Sequence, residues 1–214
     1  LAPCIYEGEG EMLGMAFFKS LAKQHGVTYF EPIGKAIPRA GLKKFNPMNP
    51  LHGFALRNEL VPYAFWWMGK QLEGVDSHEI PGMSLELKAH VDFALEFLSD
   101  TPLELSQAMV KHQLKLADRQ CRIAEMSQRA QDAIIILVTA LWAHNEKNAV
   151  VEAAADILCQ DLRCKLTGER PSDSYFKAAS KLADQIIDGK FPGLSEVAVQ
   201  DILFKYDKPV KEKA

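Results

Sequence analysis

Thr101-Pro102-Leu103-Glu104-Leu105-Ser106-Gln107-Ala108-Met109 carries the signature of a helix start. Threonine can cap the free N–H groups, and proline suits the first helical position, where its missing N–H costs nothing. Glutamate at the third position can reach back to the cap. Beyond it Leu105, Met109, His112, Leu116 and Arg119 alternate steps of four and three, which is one face of a helix. The pattern continues to about Ala143, predicting about 40 helical residues with room for one break. Helices of this length joined by short polar turns argue for an antiparallel bundle. The expected fold class is all-α: a leading helix behind an acidic turn, a long connector, then an antiparallel helical bundle.

Upstream, Ser84-Leu85-Glu86-Leu87 supplies another helix start, after a polar turn over 73–82. Residues 51–72 read as an aromatic-rich helical stretch with Phe54, Tyr63, Phe65, Trp66 and Trp67, expected to bend or break near Pro62. Residues 27–50 hold Pro32, Pro38, Pro47 and Pro50 with Gly34 and Gly41, a density that predicts a connector without regular helix. Connectors this long inside a compact domain are often functional. The first helix is expected from about Glu11 to His25, capped by Gly26. Glu7, Glu9 and Glu11 stand at its start and Lys19, Lys23 and His25 towards its end, matching the helix dipole. Downstream, 145–148 reads as a turn and the next helix runs to Gly168. Pro171-Ser172-Asp173 opens another that ends at Gly189, and Pro192-Gly193 precedes a short terminal helix and a frayed basic tail. The predicted divisions are 1–26, 27–50 and 51–214.

A chain of 214 residues, about half apolar and a quarter charged, has the balance of a globular protein. A formal charge of -3 gives no general case for nucleic acid. Cys4, Cys121, Cys159 and Cys164 show neither CxxC nor zinc spacing, so reduced and mostly buried thiols are expected. The apolar run 133–143, broken only by Thr139, is well short of the ~20 residues that span a bilayer. Leu1 opens a stretch with Pro3 and acids rather than a secretory leader, and the missing initiator methionine fits a processed or truncated chain.

Chemistry concentrates at Tyr6-Glu7-Gly8-Glu9-Gly10-Glu11-Met12. Glycine lets backbone approach a ligand closely, and Cys4, Ile5, Tyr6, Met12 and Leu13 can supply a dry wall around Glu7. Desolvation would raise that carboxyl's pKa and make it a stronger base once substrate excludes water. Gly8 to Gly14 also spells GxGxxxG, and the β-like run Val27-Thr28-Tyr29-Phe30 with Glu31 imitates a dinucleotide-binding unit. Pro3 in the required strand, three acids at the phosphate position and no later strand–helix alternation count against it. Lys35, Arg39, Lys43 and Lys44 make the connector basic, beside Phe45, Met48 and Leu51. It is read as a solvated linker or as a contact for an anionic membrane surface. The adjacent Phe65, Trp66 and Trp67 cannot share one helix face, so core plus an interface with another domain is expected. His25, His52, His78, His90, His112 and His144 form no metal pattern, and there is no phosphate-binding lysine loop or nucleophile elbow.

The first motif resembles the catalytic loop and helix of the acyl-CoA dehydrogenases, written Tyr-Glu-Gly-Thr-Asn-Glu-Ile in that family. A second region resembles the extra C-terminal helical domain of its very-long-chain branch. It runs from Lys111-His112-Gln113 through Leu116-Ala117-Asp118 to Ala130-Gln131-Asp132-Ala133-Ile134-Ile135-Ile136-Leu137. The resemblance implies the C-terminal portion of an enzyme that oxidises a fatty acyl-CoA to its trans-2-enoyl-CoA. Glu7 would be the catalytic base, and a hydride would pass to FAD and its electrons on to electron-transfer flavoprotein. Gly8, Glu9 and Glu11 would be the cofactor contacts, and no metal is implied. Glu9 departs from the family's threonine and leans towards the acyl-CoA oxidases, where oxygen is the acceptor. The resemblance further implies a homo-oligomer, a cytoplasmic or membrane-peripheral location, or the mitochondrial matrix side in a eukaryote. It also implies a chain that is inactive without the flavin-binding domains upstream.

Overall fold

The computed structural model describes residues 10–46, 48–75, 79–112, 116 and 119–194, with only the backbone of residues 10 and 11. Every regular element among them is helical. Helix α1 (Gly10–His25) passes through a π-helical turn (Gly26–Phe30) into α2 (Glu31–Arg39). Next come α3 (Pro50–Ala55), α4 (Arg57–Leu72), α5 (Leu85–His112), α6 (Gln120–Glu146), α7 (Ala149–Thr167) and α8 (Asp173–Ile187).

Local chemistry sets many of the ends. The Asn49 side chain accepts the Leu51 N–H at the start of α3. Asn148 accepts from Val150 and Val151 at α7, and Ser172 accepts from Tyr175 at α8. The long helices α5, α6 and α7 run antiparallel and share one apolar cluster. Leu87, Val91 and Ala94 meet Ile136, Ala140 and Ala143 and then Val151, Ala155 and Cys159. The alanines let the three axes approach closely, and each buried aliphatic side chain contributes about 1.5–3 kcal/mol. Further along α5 and α6 a second cluster gathers Phe18 of α1 with Leu105, Ala108, Leu116, Ile123 and Met126. Arg129 spans the α5–α6 seam, donating to Glu104 at 2.7 Å while its guanidinium lies over the Phe97 ring.

Several expectations are corrected. Residues 27–50 are not a helix-free connector, because Glu31–Arg39 forms α2. Pro32 falls in its first turn, where no N–H is needed, and Pro38 comes only at its end. The helix closes on Gly41, whose left-handed φ of 71° lets the Leu42 N–H reach the Ile37 carbonyl. Gly26 does not end α1; the chain stays helical through it. The β-like run Val27–Phe30 is that π-helical turn, which removes the strand from the dinucleotide-binding reading. The break near Pro62 lies instead at Leu56, between α3 and α4. Thr101-Pro102 starts no helix: α5 runs through it, and Thr101 Oγ1 donates to the Phe97 carbonyl. Cys121 is exposed rather than buried. The terminal helix and tail expected beyond residue 194 lie outside the described residues.

Candidate functional site

Glu7, Gly8 and Glu9 lie outside the described residues, as does the side chain of Glu11, whose backbone sits in the first turn of α1. What the structure describes is the helix that follows them, α1. Phe18, 4 % exposed, plugs α1 into the second apolar cluster. Gly14 sits so close to α6 that an added Cβ would stand 2.1 Å from the Gln131 amide nitrogen. Gln131 is itself tied back to Ser127 Oγ at 3.0 Å. The helix that begins at Gly10 is therefore fixed against the α5–α6 pair.

At the other end of α1 stands a site the sequence did not announce. His25 packs against Tyr29 and Phe30 of the π-helical turn and against Trp66 of α4, its ring centroid 4.5 Å from the Trp66 ring. Tyr63 stacks on Trp66 and shares a 2.8 Å hydrogen bond with the fully buried Ser106 of α5. The π register makes this possible, because it brings both Tyr29 and Phe30 round to the imidazole. His25 Nε2 is buried with no hydrogen-bond partner. Burial pushes the imidazole below its ordinary pKa, so the neutral ring is the form that fits.

A second polar group lies inside the bundle. His90, 2 % exposed, meets Asp156 Oδ1 through Nε2 at 2.8 Å, and Arg163 approaches its Nδ1 at 3.3 Å. Arginine can only donate, so Nδ1 accepts and Nε2–H donates to Asp156. Gln160 donates to the other Asp156 oxygen. These bonds, that of His90 foremost, hold the Asp156 carboxyl below the usual carboxylate range against the opposing effect of burial. Cys159 lies one turn from Asp156, so Cys, His and Asp come together in a way that imitates a nucleophile set. The geometry denies it. The thiol faces the Ile136 carbonyl at 3.6 Å, and burial, then the Asp156 charge, push it up to about 12. A thiol held that high is inert at neutral pH.

Asp132 of α6 is also buried, accepting from Gln128 at 2.9 Å. Lys165 Nζ stands 2.8 Å from its other oxygen, an ion pair without an aligned hydrogen bond. Among the described residues no group of three or more His, Cys, Asp or Glu is placed to hold a metal ion. An open trough of about 670 Å³ lies between α4 and α5 and is walled by Leu60, Tyr63, Trp67, Met68 and Val110, with Lys111 its one charged residue. Neither the half-buried His25 nor the buried His90 was readable beforehand, because Trp66 reaches the first, and Asp156 and Arg163 the second, from distant helices. No family model, curated protein or solved structure matches this chain.

Proposed function

We propose that this chain is the C-terminal part of a flavin-dependent acyl-CoA dehydrogenase in which Glu7 removes the α-proton of a fatty acyl-CoA. The reading is carried by one observation: Tyr6-Glu7-Gly8 followed directly by a helix seated against the bundle. A carboxylate beside a glycine can be approached closely by a ligand, and exclusion of water by substrate raises its basicity. Gly8, Glu9 and Glu11 are the proposed cofactor contacts, with Glu9 unable to donate as a threonine would.

The described residues do not fit FAD by themselves. The α4–α5 trough is apolar with a single lysine, a poor match for a diphosphate, so the flavin site on this reading belongs to the rest of the parent enzyme. The isolated chain is then catalytically silent. Acyl-CoA is the substrate, electron-transfer flavoprotein the acceptor, and the parent a cytoplasmic or membrane-peripheral homo-oligomer. In the parent, Glu7→Gln is expected to abolish α-proton exchange on acyl-CoA while bound FAD is retained. Unchanged turnover would remove Glu7 from the mechanism. Oxygen consumption set against reduction of a flavoprotein acceptor separates dehydrogenase from oxidase.

A docking role without catalysis is the second reading. Leu51, Phe54, Phe65 and Leu72 on α3 and α4 are 67–85 % exposed, and the basic residues Lys43 and Lys44 precede α3 in the sequence. No helix among the described residues is long and apolar enough to cross a membrane, so such contact would be peripheral. Co-sedimentation with anionic vesicles, lost in Lys43→Glu/Lys44→Glu, would support this role. Absence of binding at low salt would dismiss it.

A further inference from the structure

The trough between α4 and α5 has two walls of different chemistry. On α4, Leu60, Tyr63, Ala64, Trp67 and Met68 recur at helical spacing and form a single apolar stripe. On α5, Gln107, Val110 and Lys111 stand at i, i+3 and i+4, so they too share one face. The side chains of Gln107 and Lys111 have neither a hydrogen bond nor an ion pair among the described residues. No carboxylate lines the trough, and Lys111 is its one charge. Cations gather at this end of α5, where Arg119, Lys111 and Arg122 all act on His112. Tyr63 ties the two walls together. Its ring stacks on Trp66 with centroids 5.9 Å apart, and its hydroxyl shares the 2.8 Å bond with the buried Ser106. A wall held in this way is already in place before any ligand arrives, which lowers the cost of binding.

We propose that the α4–α5 trough binds an aromatic monocarboxylate, its ring against the α4 stripe at Trp67 and its carboxylate against Lys111 and Gln107. Each part of that ligand answers a feature of the site. Tyr63 and Trp67 lie one turn apart, and aromatic rings gain from ring neighbours beyond the area they bury. Lysine only donates and the glutamine amide nitrogen can donate beside it, so the group they meet is an acceptor. With no acid in the lining, a carboxylate there is not repelled, and its bond to Lys111 is charge-assisted. One lysine balances one negative charge, which suits a single carboxylate and leaves a diphosphate unmatched. A volume of about 670 Å³ lies within the range of roughly 300–1,000 Å³ usual for small-molecule sites, whose walls are likewise apolar and aromatic with few polar groups. The inference does not depend on Glu7 or on a flavin.

The test titrates 2-naphthoate into the 1–214 chain by calorimetry, with 2-naphthalenemethanol as the neutral analogue of similar shape. One-to-one binding of the carboxylate is expected. The alcohol is expected to bind about tenfold more weakly, because it forgoes the charge-assisted bond. Lys111→Met keeps an unbranched side chain, and the exposure of Lys111 makes the change mild for folding. That variant is expected to lose about tenfold in naphthoate affinity while binding the alcohol as before. Trp67→Ala is expected to weaken both ligands, with circular dichroism showing that each variant keeps its helices. Equal affinity for the two ligands, or naphthoate binding indifferent to Lys111→Met, would overturn the proposal. So would absence of binding at millimolar naphthoate. A dimer in sedimentation that Trp67→Glu dissociates would overturn it as well, since a second copy of the chain would then fill the trough.

Discussion

His25 shows how much one side chain can depend on its surroundings. Its ring meets Tyr29 and Phe30 of the π-helical turn and Trp66 of α4, and the desolvation they impose is the cause of its lowered pKa. The unfolded chain therefore takes up this proton at a higher pH than the folded one does. Stability from this group is complete above the ordinary histidine value, near 6.5. It falls as pH drops below that value and levels off below the folded pKa. His25→Phe keeps an aromatic ring and removes the titration. The urea midpoint of the parent is expected to drop between pH 7.5 and pH 5.5 more than that of the variant. Parallel midpoints for the two proteins over that interval would show that His25 carries no such linkage.

At the scale of elements, α1 is held by a contact that only glycine permits. Gly14→Ala requires the Gln131 side chain to swing away from Ser127, and Gly14→Leu requires α1 itself to lift. The leucine variant is expected to lose about 2 kcal/mol or more through strain and through loosening of Phe18 in its cluster. Chemical denaturation checks this, with the alanine variant expected to change far less. Helix α5 supplies the opposite case, a residue that costs stability where it stands. Pro102 lies inside the helix, where it withholds one backbone donor and crowds the preceding turn. Pro102→Ala is expected to stabilise the fold by about 1–2 kcal/mol, less than the full interior cost because proline also restricts the unfolded chain. A lower urea midpoint would show instead that Pro102 sets a bend the packing needs. Local chemistry made the elements legible wherever it was decisive. A helix was expected after 145–148 and another opening at 171–173, and Asn148 and Ser172 cap these helices through their own side chains. Thr101-Pro102 failed because packing on both sides of it, at Ala94 and at Leu105, carries the helix through. The real interruption, between His112 and Gln120, contains neither glycine nor proline and so gave no sign.

In the whole molecule α5 and α6 carry both apolar clusters, one closed by α7 and the other by α1. A chain cut after Asn148 would leave Leu87, Val91, Ile136 and Ala140 without Val151, Ala155 and Cys159 over them. Loss of a cooperative unfolding transition is expected, read by far-UV circular dichroism against urea. A sharp transition in that fragment would mean the α1 side folds as a unit of its own. The all-α class was legible from periodicity, since these helices repeat apolar residues on one face. The proposed site could be read only as a motif, at Glu7, which lies outside the described residues; a contiguous motif is the one kind of site a sequence displays directly. The His25 and His90 environments were not legible, since Trp66 and Asp156 reach them from other helices. The joint between α1 and α2 has one more consequence. The turn Gly26–Phe30 is closed by the Glu31 N–H reaching back five residues to the Gly26 carbonyl, one residue more than an α-helical turn needs. It is a place where the chain can lose a residue and stay helical. A deletion at the exposed Val27 would join α1 and α2 as one rod and turn a different set of rings towards Trp66. Length variation between relatives of this chain should therefore collect at that joint, accompanied by compensating changes at positions 29, 30 and 66.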